Sequence, residues 1–581
     1  MGRRPADLVV RAGRWVCVQS GEILPGTDVA IAGERIAYVG EDASHTIGEH
    51  TLVMQAEGRH LVPGLLDGHM HVESSMLTIT EFVRAVLPHG TTGVFIDPHE
   101  IANVFGLDGV RMMVEEAGRQ PIHVWVQMPS CVPSAPSLET AGAALGPAEV
   151  AEALRWPGVI GLGEMMNLPG VNSGDDSLHA EMAETRAAGK VIGGHYASLD
   201  LALPFHGYLA GGPQDDHEGT RLEDAVARLR QGMKVMMRLG SAWHDVAEQL
   251  RAITELGLDS RHFLLVTDDS HAATLLEEGH MDRVVRHAIQ NGADPMVAIQ
   301  MATLNTAEHF GVATDVGQIA PGRFADLLLV TDLKTFAVDT TIAKGRVAAE
   351  AGGLRVGSPE FAYPAKVRAS VHLAGELKPE DFGLPVERNG RVRANVIGVV
   401  ENQAPTRHLR LDLQPVAGQL TTDLSQDLAK VALIERHRGT GQIRVGLVQG
   451  FGFKVPCAVA STVAHDSHQL LVVGTDEASM AVAANELARV GGGQIVVREG
   501  TPIALVELPI AGLMSDEPAE RVAGKIQQLL QAFRDCGCSL NNPNMQLSLL
   551  ALVTIPELRI SDQGLIDVNR FEVLPVVERQ L

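Results

Sequence analysis

The sequence predicts an α/β protein: a (β/α)8 TIM-like barrel, a flanking composite β-sandwich, and an additional C-terminal α+β domain. Three observations carry that prediction. An apolar strand followed by an amphipathic helix recurs from residue 61 to 310. Short strands of alternating polarity precede this stretch and return after it. A third style of patterning begins beyond about residue 370. A chain of 581 residues exceeds the size at which one hydrophobic core keeps growing, so two or three domains are expected.

Residues 7–62 hold DLVVRAGRWVCV, DVAIAG and RIAYVG, separated by Gly and Pro turns. Alternation with turn residues between the runs marks antiparallel strands. RFADLLLVTDL and TTIAKGRVAAE, within 323–350, repeat the pattern. The two segments are expected to complete one sandwich, with the intervening chain as an insertion. Within that insertion eight strands are read: 61–69, 91–98, 122–129, 159–164, 190–195, 212–218, 234–240 and 263–269. Helical segments such as ITEFVRAVLPHG, PAEVAEALRW and DVAEQLRAITELG lie between most of them, each ending near a glycine. Strand–helix alternation of this count predicts a parallel barrel. The sixth strand, GPQDDHE, has little apolar content, and its absence would leave an open sheet. The last region contains strand-like RVRANVIGVV, QIRVGLVQG, HQLLVVG and GQIVVREG beside helical SMAVAANELARVG and ERVAGKIQQLLQAFRDCG. The expected boundaries are 1–62 and 316–370 for the sandwich, 63–315 for the barrel and 371–581 for the C-terminal domain.

Composition excludes several classes. With 45% hydrophobic and 20% charged residues, and Gly 60 and Pro 29, the chain is a compact, loop-rich globular protein. Its net charge of −24 is spread without Lys/Arg blocks. It therefore lacks the basic footprint for nucleic acid or an anionic membrane. No stretch approaches the roughly 20 apolar residues of a membrane span, and Met1–Val10 has no apolar run behind its arginines, so a cytoplasmic protein is expected. Five scattered cysteines, with only Cys536 and Cys538 close together, are read as reduced thiols.

The strongest local signal is Asp67-Gly68-His69-Met70-His71 at the end of the first barrel strand. Residues i and i+2 of a strand share a face, so His69 and His71 can grip one ion together. Glu164, His195, His217 and Asp268 each stand at or just past the end of a later strand. In a barrel these ends converge on the face that carries the active site. Four histidines and two carboxylates exceed one tetrahedral ion but suit two ions sharing a bridge, for which Glu164 is the natural choice. The absence of cysteine leaves Mn, Fe or Zn as the metal. Glu100, Glu218, Asp269 and His271, near the same strand ends, are candidates for moving protons or holding substrate. Arg238 and Ser241 follow the seventh strand and join them as substrate-binding candidates.

PGLLDGHMHVESSM (63–76) and GLGEMMNLPGV (161–171) resemble the adenine deaminase family of the amidohydrolase superfamily. IDPHEIANVFG, DHE at 216–218, TDDSHAATLLEEGHMD, MATLNTAEHFG, and GFGFKVPCAVASTVAHDSHQLLVVG with LPIAGLMSD in the last domain extend the resemblance along nearly the whole chain. It implies hydrolytic deamination of adenine to hypoxanthine and ammonia by a metal-activated hydroxide, in purine salvage or catabolism. It also implies a small-molecule purine substrate, two divalent ions, and a homodimer or larger assembly. By position, His69 and His71 match the first metal-binding pair, Glu164 the bridging carboxylate, His195 and His217 the second ion's imidazoles, and Asp268 the last-strand aspartate. Many superfamily relatives bridge their metals with a carbamylated lysine, whose place Glu164 takes here.

Two loops depart from the pattern. The fifth-strand loop reads Gly193-Gly194-His195-Tyr196-Ala197-Ser198, in place of D-G-H-x-P-G, and Leu239 stands where a glutamate is expected. Such loops set substrate choice, which leaves room for another 6-substituted purine or a cyclic amidine or amide. A silent metal-binding homologue is the remaining alternative. The run Ala464-His465-Asp466-Ser467-His468 reads as a turn of solvated polar residues, as part of an oligomer contact, or as a segment reaching the active site.

Overall fold

In the computed structural model, residues 3–386 and 390–578 are described. Strand Leu8–Cys17 is the hub of the first layer. It runs antiparallel to Glu22–Ala32, and parallel to Leu52–Gln55 through its first half and to His60–Pro63 through its second. His60–Pro63 in turn pairs antiparallel with Leu327–Val330, which continues into Val338–Ala343 and Arg346–Glu350. Two segments far apart in sequence thus form one nine-stranded sheet. Register shifts at Val10, Gly13 and Trp15 bend the hub strand, as bulges do. The sheet folds over an apolar core that includes Val10, Val29, Ile31, Leu61, Leu327 and Leu329.

The stretch read as one strand at 61–69 is two. His60–Pro63 belongs to the sandwich and Leu65–Met70 to the barrel. From Leu65–Met70, parallel pairing runs through Thr91–Ile96, His123–Met128 and Val159–Met165 to Val191–Gly194. Asp215–Asp216, Lys234–Arg238 and Phe263–Val266 form a second parallel run. One seam closes where the Asp268 N–H donates to the His69 carbonyl (3.1 Å). The other closes where the Gln214 N–H donates to the Ile192 carbonyl (2.9 Å) and the Gly194 N–H to Asp215 Oδ1 (3.0 Å). Phe95, Val191, Met236, Leu264 and Val266 fill the interior, with Phe95 stacked on Phe310 at 3.9 Å.

The weak sixth strand is only two residues long, and side chains hold it in place. Arg228 Nε donates to Asp216 Oδ1 (2.6 Å), and His309 Nε2 meets Asp215 Oδ2 at 2.6 Å. Buried carboxylates with built-in partners replace the apolar run that marks the other strands.

Beyond residue 390 an eight-stranded, mostly antiparallel sheet forms. Period-two alternation gives it two apolar faces. Ala432, Ile434, Val472 and Ile495 pack under helix Glu477–Val490, whereas Val431, Leu433, Val473 and Val496 join the same core as the barrel. Helix Ala519–Asp535 lies between this sheet and the barrel helices, and the Ser515 N–H donates to the Met76 carbonyl (2.8 Å). The C-terminal sheet therefore sits on the barrel without an intervening solvent layer. No helix among the described residues is long and apolar enough to cross a membrane.

Candidate metal centre

The end of the first strand aims His69 and His71 to the same side, as strand periodicity requires. Asp67, one step below on that face, accepts the Thr267 N–H (3.1 Å) and Oγ1–H (2.5 Å), fastening strand one to strand eight under the histidines. The Asp97 backbone oxygen, after strand two, meets His71 Nδ1 at 2.8 Å, which leaves Nε2 facing the centre. Asp97 Oδ2 also accepts the Glu164 N–H (2.7 Å). A Cβ at position 163 would lie 2.2 Å from that oxygen, so only glycine fits there.

Glu164 is the hub. Its Oε2 lies 2.6 Å from His195 Nδ1, 3.0 Å from His217 Nε2 and 4.0 Å from His69 Nε2. Its Oε1 lies 3.2 Å from His99 Nδ1 and 3.6 Å from His71 Nε2. Asp268 has φ +59°, a left-handed conformation that a non-glycine residue adopts at a cost. That turn brings Oδ1 to 3.4 Å from His71 Nε2 and 3.9 Å from His69 Nε2, while Arg238 Nη1 donates to Oδ2 (2.9 Å). All six residues read as ligands therefore converge on one point.

The other sequence candidates divide into two sets. Glu100, Glu218, Arg238 and Asp269 line the cavity above Glu164. Arg238 is committed to Glu218, Asp245 (Nε, 2.6 Å) and Asp268, so it braces carboxylates more than it offers itself to a ligand. Ser241 and His271 lie off this lining. The Ser241 hydroxyl donates to Thr274 Oγ1 (2.7 Å) and accepts the His271 N–H (2.8 Å), and His271 Nδ1 meets the Ser74 carbonyl at 3.2 Å. Their role in the geometry is to tie the seventh- and eighth-strand loops together.

Three further residues complete the cluster: His99, not singled out from the sequence, and His465 and Asp466, from the run for which reaching the active site was one of the readings. His99, the first residue of helix His99–Ala117, packs 4.7 Å from the His71 ring, and its Nε2 is 3.7 Å from Asp466 Oδ1. Its adjacency to Glu100 at a strand end was the available signal. Asp466 and His465 come from the C-terminal domain and line the same cavity. Every residue of the 464–468 run is buried, which corrects the reading of a solvated turn. Buried Arg436 holds the run by donating to the His468 carbonyl, to the Ser370 carbonyl (3.2 Å) and to the Ala511 carbonyl (3.1 Å).

The electrostatics favour a cation. Six carboxylates line the cavity (Glu100, Glu164, Glu218, Asp268, Asp269 and Asp466), against the single guanidinium of Arg238. Burial opposes a charge on His71, yet Glu100, Asp268 and Glu164 outweigh it and raise its pKa well above the usual value. At His195 the same contest, led by Glu164 and Glu218 over burial, pushes the pKa up to about 10. Burial with His217 and His71 beside it drives His69 well below its usual value. Burial, then Glu73, raises Glu100 well above the carboxylate range. His69 Nε2, His99 Nδ1 and both Glu100 oxygens are buried without hydrogen-bond partners. In three groups, His69–Glu164–His217, His69–His71–Asp268 and His195–His217–Glu218, the donor atoms lie within 4.8 Å of one another. Nitrogen and carboxylate donors at this spacing suit a divalent ion, whose binding displaces protons from the imidazoles.

A closed parallel barrel with imidazoles and carboxylates gathered at its carboxyl-terminal rim defines a metal-dependent hydrolase of the amidohydrolase type, and residues 60–348 match the amidohydrolase family. Residues 403–572 match the adenine deaminase C-terminal domain. The chain is 59% identical to "Adenine deaminase 3" of Rhizobium meliloti (strain 1021), over 100% of this chain and 97% of that protein. It is 60% identical to an adenine deaminase of Mesorhizobium japonicum, over 98% and 95%. With an adenine deaminase of Moorella thermoacetica the identity is 52%, over 99% and 96%. The chain belongs to the adenine deaminase family, and family and donor set together support a divalent metal cofactor. Tyr196 packs inward, 5.0 Å from Phe205 and 5.3 Å from Tyr208, and Tyr208 Oη accepts the His195 N–H (2.7 Å), so the altered fifth loop still holds His195 against Glu164.

Proposed function

We propose that this enzyme hydrolyses adenine to hypoxanthine and ammonia. In this reading two divalent ions, manganese, iron or zinc, are held by His69, His71, Glu164, His195, His217 and Asp268. The observation that carries it is the Glu164 carboxylate, within 4.0 Å of five imidazole nitrogens at the mouth of the barrel. Near-full-length identity to proteins named adenine deaminase selects the substrate over another heterocycle or a silent homologue.

When bound, the ions supply an acidified water and a counter-charge for the developing negative charge. The chain's residues move the protons. The C6–O bond forms first, by addition across C6 and N1, and the C6–N bond breaks as that adduct collapses. One water proton ends on the leaving nitrogen as ammonia, and the other on N1 of hypoxanthine. Asp268, its outer oxygen held by Arg238, carries the first from the water to the amine. Glu100 lines the cavity with both oxygens free of partners and carries the second to N1. Glu218 is paired with Arg238, which suits it to bracing better than to proton transfer. Expression with added manganese, elemental analysis, and parallel assays of adenine absorbance and ammonia test the reading. Stoichiometric ammonia release, abolished by His69→Ala, is expected; bound metal without adenine turnover would overturn it.

A further inference from the structure

The amidohydrolase part of the chain ends at residue 348, yet the cavity above the metal cluster is closed by the later, family-particular part. Ala404, Leu549, Leu552 and Ile555 form an apolar wall there. Buried Arg559 pins that wall, donating to the Leu549 carbonyl (2.7 Å), the Ile555 carbonyl (2.8 Å) and the Ala404 carbonyl (2.5 Å). Asp466 lines the same cavity at 2% exposure, and its Oδ2 is buried without a hydrogen-bond partner. His99 Nε2 and His465 Nδ1 each stand 3.7 Å from the other oxygen, Oδ1, and a buried oxygen left without a partner costs stability unless a ligand satisfies it. Adenine as a free base carries an N–H on its imidazole ring. With C6 turned toward Glu164 and Asp268, that ring faces away from the ions. A 9-substituted adenine has no such hydrogen.

We propose that Asp466 is the specificity-determining acceptor for the imidazole-ring N–H of the purine, so that the C-terminal domain reads the free base while the barrel performs the chemistry. This rests on the adenine deamination reading. The test compares kcat/KM for adenine and for 9-methyladenine in the wild type, D466A and D466N, with bound metal measured in each. D466A is expected to lower kcat/KM for adenine by about tenfold to hundredfold, chiefly through KM. It should keep its metal and leave 9-methyladenine little changed, so that selectivity collapses. D466N, which retains an acceptor oxygen, should recover part of the loss. Unchanged selectivity in a metal-replete D466A would overturn the assignment while leaving the deaminase reading intact. Loss of metal in D466A would overturn it too, by making Asp466 an ion ligand with His99 and His465. A metal-loaded wild type that does not consume adenine would remove the underlying reading instead.

Discussion

At Asp268 a single backbone angle decides the chemistry. Its left-handed φ, its N–H on the His69 carbonyl and its Oδ2 on Arg238 point the carboxylate at the cluster. Burial opposes its charge, but the His71 hydrogen bond, His217 and Arg238 hold it far below the usual carboxylate range, so it stands ionised beside the imidazoles. Asp268→Asn keeps the shape and an oxygen ligand but not the base. It is expected to retain metal by elemental analysis while kcat falls about 10²- to 10⁴-fold; near-normal turnover would remove Asp268 from its role. His69, His71 and Glu164 were legible in the sequence because strand periodicity says where such residues point. His99 was not, because it opens a helix, and its aim depends on how that helix leaves the barrel.

Among the elements, the sixth strand shows where pattern reading thins: Asp215–Asp216 has no apolar signature because its partners are side chains from two helices, Arg228 from the one that follows it and His309 from one much further along the chain. Helix Asp176–Ala187 carries a pH-dependent liability of its own. Glu181 is 2% exposed, and its Oε2 has no hydrogen-bond partner. Burial, then Asp175 and Glu149, push its pKa up to about 8, against 4.5 for the ordinary group. The folded state therefore binds this proton more tightly than the unfolded chain. The stabilisation is full below about pH 4.5 and is lost as pH rises toward 8. Glu181→Gln should raise the melting temperature by a few degrees at pH 8 and change little at pH 4.5; calorimetry showing the same shift at both would contradict this origin.

On the scale of the whole molecule, barrel and C-terminal domain share one core. Met76, Phe82 and Val86 from the barrel side pack in the same cluster as Val431, Leu433, Leu508 and Leu529. The Thr140 N–H on Asp562 Oδ1 (2.8 Å) and Gln469 Nε2 on the Thr140 carbonyl (2.9 Å) bind the third-strand loop to the later domain. A chain ended after residue 370 would expose that apolar face, and it is expected to aggregate by light scattering. A monodisperse fragment that still holds its metal would mean the barrel closes independently.

The sequence alone determined the alternation that makes a barrel, the split sandwich around it, and the six histidines and carboxylates at the strand ends, because each is encoded by local periodicity or by spacing along one strand. Only the tertiary structure decided that His99, His465 and Asp466 join that cluster, that Arg238 braces carboxylates, and that the second domain closes the cavity. Those contacts join residues hundreds of positions apart, such as His99 and Asp466. They depend on how two apolar faces dock, which no local pattern records.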